Sequence, residues 1–290
     1  MPEPPPTAAL TRRDFLGSCA AAWLAGPSLL PRSDGPGRFP FPVGIQLYSV
    51  RNSLDHDFEG TLAALGGIGY REVEFAGLHG HEAGPVRRML DRYHLRATSG
   101  HYDLSEITDK IDETIATART LGHRFVICPW LDEDNRTRDG YARMADIFNR
   151  AGERFRRAGF GFGYHNHQFE FTALPGGGPG VPATGYDILL ARTDPDLVKM
   201  ELDLYWVRKG GGDALDYFHR FPHRFRLVHV KDMGTDGSMV DVGAGVIDWS
   251  TLLRAARTAG VRHYFVEHDD PKDELAFARV SYQYLAGLTL

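Results

Sequence analysis

A single (β/α)8 barrel is the fold this sequence predicts, and two observations lead to it. From Val43 onward, short β-rich runs alternate with helical patterns about eight times, the count that closes a parallel barrel. No G-x-G-x-x-G turn follows the first run, as an open dinucleotide-binding sheet would require. The 290-residue chain is long enough for one such barrel after an N-terminal segment.

The strands are expected at 43–50 (VGIQLYSV), 71–77 (REVEFAG), 95–103 (LRATSGHYD), 124–131 (RFVICPWL), 161–171 (GFGYHNHQFEF), 198–207 (VKMELDLYWV), 225–232 (FRLVHVKD) and 263–269 (HYFVEHD). Helical patterns separate them. Ser105 offers an N-cap for EITDKIDETIATARTLG, and Asp248 offers one for STLLRAARTAG. The glycine-rich 175–185 reads as an insertion after the fifth strand, so 41–290 is one domain.

The N-terminus differs. Arg12-Arg13 stands before an alanine-rich apolar run, which resembles a twin-arginine export signal, with Gly17 where a lysine is usual. The run from Ala20 to Leu30 is too short to span a membrane and is broken by Gly26 and Pro27. Residues 1–32 are therefore expected to be a signal peptide, 33–40 a linker, and the protein periplasmic or otherwise exported, without stable membrane insertion. Cys19 precedes the apolar run and so does not suit lipidation.

Composition excludes other classes. With 24% charged residues, a formal net charge of -5 and no basic stripe, a nucleic-acid partner is not expected. Cys19 and Cys128 form no CxxC pair and no disulfide framework. Self-association is left open.

Barrel active sites form where strands end, and the polar residues there are numerous. They are Gln46 and Tyr48, Glu74, His101, His165 and His167, Glu201 and Asp203, His229 and Asp232, and Glu267 and His268. Alternation puts His165 with His167, and Glu201 with Asp203, on the inward face. A lone inward histidine is more often a hydrogen-bonded core residue than a ligand. Carboxylates of Asp203 and Glu267 at one depth beside His229 would be costly to bury unpaired, and a divalent cation relieves that cost. Mixed oxygen and nitrogen donors suit Mn2+, Zn2+, Co2+ or Fe2+ better than Ca2+.

In the order and spacing of GIQLYSVR, GYHNHQFEF, ELDLYWV, HVKDM, VGAGVIDW and FVEHD, the chain resembles the xylose isomerase-like TIM-barrel superfamily over residues 41–290. That superfamily is the sugar phosphate isomerase/epimerase group, which also includes inosose dehydratases and 3-keto-sugar epimerases. The resemblance implies one divalent metal ion held by Asp203, His229 and Glu267. The fourth ligand, a strand-five glutamate in the family, is replaced here by His165, with His167 second and Glu170 third in order.

It further implies proton abstraction next to a sugar carbonyl, through an enediolate. Glu267 is the expected base, and His101, His165 or His167 the second proton carrier. Lys231 is expected to hold a substrate oxygen, with Gln46, Tyr48, Glu74 and Trp206 around the sugar and Gly243 and Gly245 admitting a loop close to it. Three functions fit: a sugar isomerase or epimerase acting on a non-phosphorylated sugar or keto-sugar, a lyase or hydratase acting on a 3-keto-glycoside or inosose, or a non-catalytic sugar-binding barrel. An endonuclease IV-type enzyme would want a basic surface that the charge balance does not provide.

Overall fold

The alternation closes on itself. In the computed structural model, which describes residues 39–290 apart from 177 and 179–182, eight parallel strands form a closed barrel. They are β1 (Val43–Gln46), β2 (Glu72–Phe75), β3 (Arg96–His101), β4 (Phe125–Cys128), β5 (Gly161–His165), β6 (Val198–Asp203), β7 (Phe225–Val230) and β8 (His263–Val266). β1 pairs with β2 on one side and β8 on the other. The expected signal segment and most of the linker lie outside the described residues. Among the described residues no helix is long and apolar enough to cross a membrane.

The strands are shorter than the apolar runs that announce them. After β1 the chain turns into a 3-10 helix at Leu47–Val50, after β5 into another at Phe169–Phe171, and after β6 into the helix Leu204–Lys209. A short apolar run records burial, and a helical turn packed on the barrel rim is buried as well as a strand is. His167 therefore lies beyond the end of β5 rather than on its inward face. The helix expected to start after Ser105 starts two residues earlier with an Asp103 and Glu106 capping box, and breaks at Asp109 and Lys110. Asp248 does cap its helix, accepting from the Thr251 N–H.

The helices bury one face against the sheet. In Arg138–Ala158, residues Tyr141, Met144, Ala145, Phe148, Ala151 and Phe155 are buried at helical spacing. Phe148 and Phe155 pack on Phe162 of β5, each contributing about 1.5–3 kcal/mol by burial. Inside the barrel, Ile127, Leu227 and Phe265 form a separate fully buried cluster against Phe125. Gly44 and Gly163 make room for it, since a Cβ would meet the Phe265 ring at 2.5 Å in one case and Ile127 at 2.8 Å in the other. This apolar plug supports the polar layers above.

Asp232 is turned away from the barrel mouth. Its carboxylate accepts from the N–H groups of Met233, Gly243, Gly245 and Ile247 and from Trp249 Nε1, so it organises the 234–248 loop. Gly245 serves that carboxylate, because a Cβ there would lie 2.2 Å from Asp232 Oδ1, and Gly243 packs on Tyr284. Neither glycine borders the large cavity described below. Asp232→Ala leaves Trp249 Nε1 and several backbone donors unpaired in the interior. The expected loss is about 3 kcal/mol in urea unfolding, with Asp232→Asn retaining part of it.

A candidate metal centre at the barrel mouth

Four neighbouring strands deliver the central groups. His165 ends β5, Asp203 ends β6, His229 lies on β7, and Glu267 follows β8. In the β6–β7 pairing Asp203 stands opposite His229. Their ligand atoms lie within 4.8 Å of one another, and all four residues are buried. His229 Nδ1 is 2.6 Å from Glu267 Oε2 and 3.8 Å from Asp203 Oδ2. His165 Nε2 and Asp203 Oδ2 face each other at 3.6 Å, and both are buried without a hydrogen bond. A buried imidazole nitrogen without a hydrogen bond, facing a carboxylate oxygen of the adjacent strand, fits a divalent ion, and the mixed N and O set suits Zn2+, Mn2+, Co2+ or Fe2+.

Lys231, one residue past β7, is buried in the same place. Its Nζ lies 3.2 Å from Asp203 Oδ2, 2.9 Å from Glu267 Oε2 and 2.7 Å from Asp269 Oδ1. Burial opposes its charge, but these three acids hold its pKa above the usual lysine value. Burial opposes ionisation of Glu267 too, yet Lys231 and His229 keep its pKa well below the carboxylate norm. Burial, followed by the neighbouring His229 and His101, keeps His165 well below the usual histidine value, so it stays neutral as a metal-binding imidazole must be.

A second group lies beneath. Glu74, His101, Glu201 and His229 also converge within 4.8 Å. Gln46 Nε2 donates to Glu74 Oε1 at 2.8 Å, so Gln46 braces a carboxylate, and neither residue borders the open cavity. Burial disfavours the His101 charge, but Glu74 and Glu201 carry its pKa up to about 9.

The cavity above these groups holds about 850 Å³. Tyr48, Trp130, His101, His165, His167, Trp206 and Glu267 all border it. The His167 ring lies 4.9 Å from that of His165 and 5.5 Å from that of Trp206. Burial, then His165, pushes the His167 pKa down to about 2. Glu170 does not join either donor set. Its carboxylate accepts from the Tyr164 hydroxyl and the His167 N–H, so it fixes the turn after β5. His268 accepts the Asp270 N–H and packs on Phe277.

Three contributors were not singled out from sequence. Asn166 donates to the Asp203 carbonyl at 3.4 Å and accepts the Asp203 N–H at 3.1 Å, locking the ends of β5 and β6 together. Asp269 anchors Lys231, and Trp130 forms part of the cavity wall. Asn166 stood between two flagged histidines, and that position was the one available signal.

Comparison with known proteins bears on what this mouth belongs to. The sequence pattern of the xylose isomerase-like TIM barrel family matches residues 63–282. An inosose dehydratase of Lacticaseibacillus casei is 24% identical over 243 residues, covering 70% of this chain and 78% of that protein. The crystal structure of a sugar phosphate isomerase/epimerase from Parabacteroides distasonis ATCC 8503 is 28% identical, with a TM-score of 0.72 over 88% of this chain and 96% of that one. The zinc-bound IOLI protein, 15% identical over 84% of this chain and 95% of that one, shares the fold at a TM-score of 0.63.

Because Asn166 positions Asp203 without touching the ligand atoms, Asn166→Ala should weaken Zn2+ affinity about 10–100-fold while the fold persists. Competition with a chromogenic chelator measures the change, with circular dichroism as the check on folding.

Proposed function

Since this chain belongs to the xylose isomerase-like TIM barrel family, we propose that it is a divalent-metal-dependent isomerase or epimerase of a non-phosphorylated sugar or keto-sugar. The observation that carries this reading is the convergence of His165, Asp203, His229 and Glu267, of which His165 and Glu267 border the cavity and His165 Nε2 is buried without a hydrogen bond. A divalent ion bound there supplies Lewis acidity that favours loss of a proton from the carbon next to a carbonyl. The remaining chemistry is assigned to the chain's own groups.

Glu267 and His101 both border the cavity, and they are the pair assigned to removing and returning the substrate proton, His101 through Nδ1, the nitrogen that does not face Glu74 and Glu201. Lys231 keeps a fixed positive charge beside the carboxylates, which steadies negative charge developing on an enediolate. Trp206, Tyr48 and Trp130 provide apolar walls for a sugar ring and keep water from its reacting face. The cavity wall carries Asp103, Glu106, Glu113, Glu267 and Asp269 against one lysine, Lys110. A phosphate dianion would meet repulsion there, and this supports the non-phosphorylated substrate independently of the Arg12-Arg13 leader and the periplasmic location proposed from it.

The likeness to inosose dehydratase favours one second reading. The same proton abstraction, followed by loss of a β-hydroxyl or β-linked group, makes the protein a dehydratase or lyase.

Protein reloaded with Mn2+, Co2+ or Zn2+ is expected to exchange a carbon-bound proton of its sugar substrate with D2O. Deuterium in an otherwise intact product marks isomerisation or epimerisation, and release of water or an aglycone marks the lyase. Asp203→Asn should reduce both bound metal and exchange by about a hundredfold. Absence of metal binding, or exchange that survives chelation, overturns the reading, and binding without exchange would leave a sugar-binding barrel.

A further inference from the structure

We propose that Glu74, His101, Glu201 and His229 hold a second divalent cation, joined to the first through the His229 imidazole. The inference rests on the upper set being a metal centre, and it concerns the layer beneath. His101 Nε2 is 3.1 Å from Glu74 Oε1, which is 2.8 Å from His229 Nε2. His229 Nε2 is 3.4 Å from Glu201 Oε2, which is 3.0 Å from His101 Nε2. These four atoms close a ring in which nitrogen and oxygen alternate. The centre of such a ring lies between roughly 1.9 Å from each corner if it is folded and roughly 2.2 Å if it is flat, which brackets the bond lengths of Zn2+ to imidazole and carboxylate.

Hydrogen bonding alone accounts for the ring poorly. Each ring nitrogen carries at most one proton, so no more than half of the four N···O edges are straight hydrogen bonds. The second oxygens of the two acids, Glu74 Oε2 and Glu201 Oε1, are buried with no partner, and both residues are 0% exposed. A cation shared by both carboxylates relieves that cost, and Gln46 already donates to Glu74 as an outer-shell brace.

The backbone points the same way. Strand pairing slips by one residue at Val73/Glu74 in β2–β3 and at Met200/Glu201 in β6–β7. Irregularities of this kind re-aim side chains, and here each falls at a glutamate of the ring. His229 completes the arrangement, because Nδ1 faces the upper set and Nε2 faces the lower one. With both cations bound, His229 ligates through both nitrogens as an imidazolate. The Nε2 protons of His101 and His229 pass to solvent as the lower ion enters the ring, and the Nδ1 proton of His229 leaves as the upper one binds.

The full-length protein, stripped with EDTA and reloaded with Zn2+, is analysed by plasma mass spectrometry after desalting. Wild type should retain about two Zn2+ per chain, and Glu201→Gln or His101→Gln about one. One ion per chain in wild type overturns the second site and leaves the proposed function standing, whereas no bound ion overturns both. A measurement that needs no variant uses Cu2+. Two copper ions joined through one imidazolate are exchange-coupled, so the integrated electron paramagnetic resonance intensity should fall below half of the copper present. Full, uncoupled intensity with two ions bound overturns the bridge.

Discussion

The His229 imidazole, enclosed on both edges by carboxylates in a dry barrel, is the contact on which the rest of the mouth depends. Nδ1 meets Glu267 and Nε2 meets Glu74, at 2.6 and 2.8 Å. Removing that ring would leave two buried acids on opposite sides of the axis without their common partner, at a cost far above that of an ordinary core deletion. Burial disfavours the ring's own charge, but Glu267 and Glu201 more than compensate and hold its pKa well above the usual value.

The chemistry around this ring is graded by depth. At the bottom an apolar plug excludes water. Above it, Glu74 and Glu201 are fully buried and held by histidines. Higher still, Asp203 and Glu267 share Lys231, whose third partner, Asp269, stands at the cavity edge. His165 lies 4.5 Å from His229 between ring centres; burial and His229 hold the pKa of the one down, while Glu267 and Glu201 hold that of the other up. The cavity itself is bordered by the His165 imidazole and the Glu267 and Asp269 carboxylates, with Lys231 buried behind them.

On the proposed reading, this separation allows one mouth to serve isomerisation, epimerisation or elimination. All three begin with the same carbon-bound proton, and they differ in where charge and proton go afterwards. The wall beyond the centre, with acids in excess and aromatic groups at the rim, bears on which sugar is admitted rather than on which bond reacts.

Much of this was legible from the chain. Eight alternating units announced the barrel, and alternation within ELDLY placed Glu201 and Asp203 on one face, because side-chain direction in a strand is a local property. His165, Asp203, His229 and Glu267 stood among the polar residues at strand ends, the family resemblance singled them out as a set, and the fold brings them together. Other features were out of reach. His167 leaves the strand, Glu170 is consumed by Tyr164 and the turn after β5, and Asp232 belongs to a two-residue strand paired with Met239–Val240 outside the barrel, since a run of apolar and polar letters does not say where a barrel strand ends. Nor could the pairing of Asn166 with the Asp203 backbone, or the second ring around Glu74 and Glu201, be read from local pattern. Within each strand, sequence alone determined which residues share a face, because that depends on a two-residue period. Tertiary structure decided which of them meet, because depth in a closed barrel is set by strand stagger and by two one-residue slips at Glu74 and Glu201 that no single strand encodes.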